Sequence, residues 1–75
     1  MNDVKMNLEA KSKRHFEKVR RLRKMIKNLE VTRDSEGMGT PEYYQVVQDI
    51  QKLELQAERN LGQARAYEKS AAMIK

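Results

Sequence analysis

Few residues of this chain could perform chemistry. Its 75 residues include one histidine, His15, and no cysteine, so neither a thiolate nucleophile nor a Cys/His zinc site can be assembled. No glycine-rich phosphate loop is present. Glu54 and Glu58 lie four residues apart, but with no histidine ligand beside them they are typical of a solvated helix surface. We interpret His15 as a partly buried structural residue. The sequence predicts no enzyme, no catalytic residue, no metal and no cofactor.

Basic side chains are concentrated in the first half of the chain. Residues 1–40 contain 11 Lys and Arg against 6 Asp and Glu, whereas residues 41–75 contain 5 of each. Six of the basic residues recur on outer positions of one helix: Lys13, Arg14, Arg20, Arg21, Lys24 and Lys27. Such a face can neutralise the phosphates of a polyanion, although no aromatic side chain is interleaved to stack on bases. A solvated surface and a nucleic-acid-binding face both remain open.

The elements that position these residues follow from the apolar period. Apolar residues recur at spacings of three and four through residues 4–31 and again through 43–74, which predicts two long helices. Between them the period is lost and two of the three glycines, Gly37 and Gly39, occur. Thr40-Pro41-Glu42 predicts an N-cap, a proline at the first helical position and an acid at the positive helix end. We therefore predict one all-α domain, 1–75, with helix 3–32, loop 33–40 and helix 41–74.

So short a connection favours an antiparallel, coiled-coil-like helical hairpin. Heptad positions predict a seam, flanked by Phe16, Val47 and Leu61. Its members are Leu8, Ser12, His15, Val19, Leu22, Ile26 and Leu29 in the first helix, and Tyr43, Val46, Ile50, Leu53, Ala57, Asn60, Ala64, Tyr67, Ala71 and Ile74 in the second. Folding about the loop is expected to place Leu22 near Ile50 and Ser12 near Asn60, with the Asn60 amide fixing the register through Ser12 or His15.

A second apolar stripe is predicted on the opposite side of the second helix. It consists of Tyr44, Leu55, Gly62, Ala66 and Met73, which fall within about 40° of one another at 100° per residue. A glycine inside a helix costs about 1 kcal/mol relative to alanine, so Gly62 indicates a site where a neighbouring backbone comes close. We predict that this outer stripe binds a protein partner, either another polypeptide or a second copy of the chain.

Length and composition support dependence on a partner. A chain of 75 residues that packs as only two helices offers one narrow apolar seam, so the isolated monomer is expected to be marginally stable. No run of 18 apolar residues occurs and the charged N-terminal region does not resemble a secretory signal. We expect a cytoplasmic protein that does not bind membranes, because the apolar side of the basic helix is needed for the seam.

The residues after the connection resemble those of a known family. Tyr43-Tyr44-Gln45-Val46-Val47-Gln48 followed by Lys52-Leu53-Glu54 is similar to the YscE-like small co-chaperones of type III secretion needle subunits. The resemblance covers mainly residues 37–61. It implies a cytoplasmic hairpin that binds a larger chaperone of tetratricopeptide type, the pair holding the needle subunit monomeric before export. The strongly basic first helix departs from the family pattern, which leaves open which helix faces the partner.

Three hypotheses follow from these observations. The first is a non-enzymatic chaperone or adaptor that stabilises a helical-repeat partner. The second is a basic hairpin that binds nucleic acid through its first helix. The third is a coiled-coil element that assembles only with itself.

Overall fold

A computed structural model describes residues 3–74 of the chain, which form two helices that pack against each other as an antiparallel hairpin. Helix α1 spans Asp3–Ser35, with 33 residues, and helix α2 spans Pro41–Ala72, with 32 residues. The molecule is a thin rod with principal extents of 57 × 14 × 11 Å. The all-α hairpin is confirmed. No helix within residues 3–74 is long and apolar enough to cross a bilayer.

The connection between the helices is short and closed by hydrogen bonds. Gly39 has φ +91°, a conformation that glycine adopts without steric cost. Thr40 is the N-cap of α2, as predicted, because its Oγ1 accepts a hydrogen bond from the Tyr43 backbone N–H at 3.2 Å. The same hydroxyl donates to the Gly37 carbonyl at 2.8 Å. Pro41 and Glu42 occupy the first turn.

The predicted helix ends differ from those observed. Helix α1 continues to Ser35 rather than ending at residue 32, and α2 ends at Ala72 rather than at residue 74. Residues 33–35 have no apolar period because they extend beyond the packed seam, yet nothing in them interrupts helical hydrogen bonding. The glycines, and not the loss of the period, mark where α1 stops.

This longer first helix shifts the register of the hairpin by about one helical turn. Ser12, predicted to lie near Asn60, donates instead to the Ala64 carbonyl at 3.0 Å. His15 meets Asn60 at 2.9 Å. Because the turn begins later in the chain, Ser12 and His15 face α2 residues farther along than folding about the predicted loop implied. The predicted placement of Ser12 near Asn60 is therefore corrected to Ala64, one turn farther along α2, whereas the burial of the predicted seam residues is confirmed.

All predicted seam residues are buried or half-buried. The fully buried set consists of Ser12, Val19, Leu22 and Ile26 in α1 and Ile50, Ala57, Asn60, Ala64 and Ala71 in α2. Branched aliphatic residues dominate the half near the connection, and small or polar residues dominate the half near the free ends. Among residues 3–74 no large side chain is less than 2% exposed, so the core of the isolated hairpin is incompletely covered.

Candidate interaction surfaces

A polar layer crosses the seam near the free ends. His15 Nδ1 lies 2.9 Å from Asn60 Oδ1, and Asn60 Nδ2 donates to the Gln56 carbonyl at 2.8 Å. Since the amide nitrogen is the donor to Gln56, the amide oxygen must be the acceptor for His15, so Nδ1 carries a proton in this arrangement. Asn60 therefore joins both helices, and the predicted pairing of its amide with His15 is confirmed.

His15 is also held by an aromatic neighbour. Its ring stacks on Tyr67 with centroids 5.6 Å apart and planes 15° from parallel, and Lys11 Nζ lies 5.6 Å from the centroid of the Tyr67 ring. Within residues 3–74 no three His, Cys, Asp or Glu side chains group in a way that could hold a metal ion. The contacts of His15 position it as part of the packing between the helices.

The predicted outer stripe faces solvent. Tyr44 is 57% exposed, Leu55 54% and Met73 74%, and Gly62 and Ala66 are exposed as well. Tyr44 contacts Tyr43 edge to face, with ring centroids 5.7 Å apart, so its position is defined at the start of α2. The two helices of the hairpin thus leave this apolar surface without an intramolecular partner among the described residues.

Gly62 has no reason for being glycine within the hairpin. A Cβ built at this position meets no atom within 4 Å, and no positive φ is found there. Packing against α1 does not explain the residue, because the site faces away from the seam. The space above Gly62 is open to a neighbouring molecule.

The six residues of the predicted basic face are all exposed. Within residues 3–74 the only ion pair joins Arg33 and Asp34, at 3.4 Å, so these six cations are not neutralised by pairing inside the described chain. They divide between two directions. Lys13, Arg20 and Lys27 lie along grooves beside the seam, whereas Arg14, Arg21 and Lys24 line neither of those grooves.

A further surface was not identified from the sequence. Two open grooves, of about 580 and 450 Å³, run between the helices along one side of the hairpin. The groove near the free ends contains Phe16 and Ala71, and the groove near the connection contains Ile26, Ala57 and Leu61. We call this side the groove face. It exposes part of the seam between charged edges that belong to different helices.

A signal for the groove face was present in the heptads. Phe16 directly follows the seam residue His15, and Leu61 directly follows the seam residue Asn60. In an antiparallel pair the equivalent flanking positions of the two helices lie on the same side of the seam. Apolar residues at both flanks therefore indicate a second apolar side beside the seam.

The chain matches no protein-family model, and no curated protein or solved structure is significantly similar to it. The likeness to YscE-like co-chaperones remains an expectation that rests on the residues following the connection.

Proposed function

We propose that this chain is a non-enzymatic chaperone or adaptor that acts in the cytoplasm and binds a helical-repeat protein of tetratricopeptide type through its outer stripe. One observation carries the proposal. Tyr44, Leu55 and Met73 are each more than half exposed on the side of α2 opposite the seam, so the hairpin presents apolar side chains that its own fold does not use. Apolar side chains aligned along one side of a helix can bind in the apolar groove of another protein.

Binding in this way stabilises both molecules. Helical-repeat proteins offer long concave surfaces, and an amphipathic helix lays its apolar side into such a groove through residues spaced by helical turns. The stripe runs from residue 44 to residue 73, about 44 Å at 1.5 Å per residue, which matches an extended surface. A partner that binds only the folded hairpin raises its stability by mass action.

The resemblance described above extends the proposal to a client. In YscE-like systems the hairpin and its larger partner together keep a type III secretion needle subunit monomeric. We propose the same division of labour here: the hairpin stabilises the tetratricopeptide-type chaperone, which in turn covers the polymerisation-prone apolar surface of the needle subunit.

The test uses a matched pair of charge substitutions on α2. Leu55→Glu places a charge in the stripe, whereas Gln63→Glu adds the same charge at an exposed position outside it. Each variant is co-expressed with the tetratricopeptide-type chaperone encoded by the same genome, and the affinity of the purified pair is measured. We expect Leu55→Glu to weaken binding at least about tenfold, equivalent to about 1.4 kcal/mol, and Gln63→Glu to leave it unchanged. Equal binding by both variants would refute the assigned surface.

Nucleic acid is the second candidate partner, favoured by the six exposed and unpaired cations of α1. One observation opposes this candidate. Apart from His15, the only aromatic residue of α1 is Phe16, and it is half-buried, so it cannot offer a free surface on which bases could stack.

The salt dependence of binding separates the two candidate partners. Phosphate contacts weaken steeply with salt, with a slope of about −0.9 per contact in a log–log plot, whereas apolar contacts persist at about 1 M salt, where charges are screened within about 3 Å.

A further inference from the structure

The groove face is where the core of the hairpin lacks cover. Ile26 and Ala57 belong to the buried seam, yet both line the groove near the connection together with Leu61. Near the free ends, Phe16 and Ala71 line the other groove. Both grooves lie on one side, so a single rod-shaped partner could cover them together.

The two edges of the groove face carry opposite charge. The α1 edge is basic overall, since Glu9, Glu17 and Glu30 are outnumbered there by five basic residues. These are Lys5, Lys13, Arg20, Arg23 and Lys27. Among the α2 residues that line the grooves, three are acidic and none is basic: Glu54, Glu58 and Glu68. Arg65, which follows Glu58 by seven residues and so lies on the same side of α2, lines neither groove. A surface with this division is complementary to itself when α1 of one copy lies opposite α2 of another.

Symmetry determines which dimer satisfies the charges. A two-fold axis parallel to the helices places α1 opposite the partner's α2, so the basic edge meets the acidic edge twice. A two-fold axis across the helices places α1 opposite the partner's α1, where basic residues face basic residues. The charge pattern therefore selects the parallel axis, and in that arrangement every helix is antiparallel to its neighbours.

We propose that two copies of this chain associate through their groove faces to form an antiparallel four-helix bundle with its two-fold axis along the helices. A dimer of standard size buries about 800 Å² on each partner, roughly one eighth of the 6147 Å² surface of the hairpin. One long side of a rod 57 Å in length can supply that area. Of the outer stripe, Leu55 borders the groove face because it lies beside Glu54 and Glu58, whereas Tyr44, Gly62, Ala66 and Met73 line neither groove.

Charge-reversed chains test both the face and its orientation. One variant is Glu54→Lys with Glu58→Lys, and the other is Arg23→Glu with Lys27→Glu; all four positions line the same groove. In the proposed dimer each variant alone brings like charges together at both contacts. Mixed with each other, the two variants regain opposite charges at both contacts.

The measurement is the mass of each sample by sedimentation equilibrium, with far-UV circular dichroism to check folding. We expect the wild-type chain to be a dimer, each variant alone to have its dissociation constant raised at least about tenfold, and the 1:1 mixture to form a heterodimer. Gln63→Glu serves as the control, because Gln63 is exposed and lines neither groove; this variant should remain dimeric.

Three outcomes would overturn the proposal. The first is a wild-type chain that is still monomeric at about 1 mM, a concentration at which even a weak contact is half-formed. The second is full dimerisation of each variant alone, which excludes the basic-to-acidic orientation. The third is a mixture that stays monomeric although both chains are helical, which excludes the groove face.

Discussion

At the scale of single residues, Asn60 is the side chain whose hydrogen bonds join the two helices. It accepts from His15 and donates to the Gln56 carbonyl, so removing either member of the His15–Asn60 pair leaves a polar group in the seam without its partner. A buried polar group without a partner costs more free energy than the loss of the hydrogen bond alone, whereas replacing both members with apolar residues of the same shape is nearly neutral.

We expect Asn60→Leu and His15→Leu each to lower the free energy of unfolding by about 1 kcal/mol or more. The double variant should lose less than the sum of the two, giving a coupling energy of about 1 kcal/mol. Urea denaturation of the four proteins measures these values. Strictly additive losses would show that the pair does not act as a unit.

Substitution by alanine should have opposite effects on the stability of the hairpin at Gly62 and at Gly39. A Cβ at Gly62 meets nothing within 4 Å, so Gly62→Ala should raise the stability of the hairpin by about 1 kcal/mol. Gly39 has φ +91°, a conformation that alanine avoids, so Gly39→Ala should lower stability by about 1 kcal/mol or more. Thermal unfolding measures both. If Gly62→Ala also weakens partner binding, the glycine serves the outer stripe; a destabilised Gly62→Ala hairpin would contradict the open environment described here.

At the scale of helices, the start of α2 depends on one hydroxyl. Thr40 Oγ1 accepts a hydrogen bond from the Tyr43 N–H and donates one to the Gly37 carbonyl. The same hydroxyl therefore caps α2 and fixes the connection before it. Thr32 provides a matched comparison, because its hydroxyl donates to the Asn28 carbonyl on the exposed surface of α1. Hydroxyls that bond back to the helix in this way contribute little to its stability.

We expect Thr40→Ala to lower the free energy of unfolding by about 1 kcal/mol and Thr32→Ala to change it by less than about 0.5 kcal/mol. Chemical denaturation of the two variants beside the wild type is sufficient. Similar losses for both substitutions would argue that the cap is not what holds the start of α2.

The helices also show how far the sequence predicted the structure. The cap residues and the seam follow from local chemistry and from the heptads, so both were predictable. The end of α1 was not, because an apolar period reports burial and not helical hydrogen bonding, and the last turn of α1 is helical without being buried. The groove face was overlooked for a related reason: it depends on Phe16 and Leu61 lying on the same side, which becomes evident only when the two helices are considered as an antiparallel pair.

At the scale of the whole molecule, stability is distributed unevenly along the rod. Val19, Leu22, Ile26 and Ile50 fill the half near the connection, whereas Ser12, Asn60, Ala64 and Ala71 fill the half near the free ends. Larger aliphatic side chains contribute more transfer free energy on burial, and local opening follows the regions with the least apolar contact.

Amide hydrogen exchange followed by NMR should therefore show the strongest protection around residues 19–26 and 50–57. Protection should fall toward residues 3–10 and 66–72. The comparison is best made at low protein concentration, where association through the groove face is minimal. Uniform protection along both helices, or stronger protection at the free ends, would contradict this gradient.

The elongated form of the hairpin affects how its mass can be determined. Its radius of gyration is 16.9 Å, compared with about 11 Å for a compact globule of the same length. A thin rod diffuses more slowly than a sphere of equal mass, so a gel-filtration column calibrated with globular standards would make a single 8.8 kDa chain elute like a larger species. Elution volume alone therefore cannot distinguish one hairpin from two, and methods that determine mass independently of hydrodynamic shape are required.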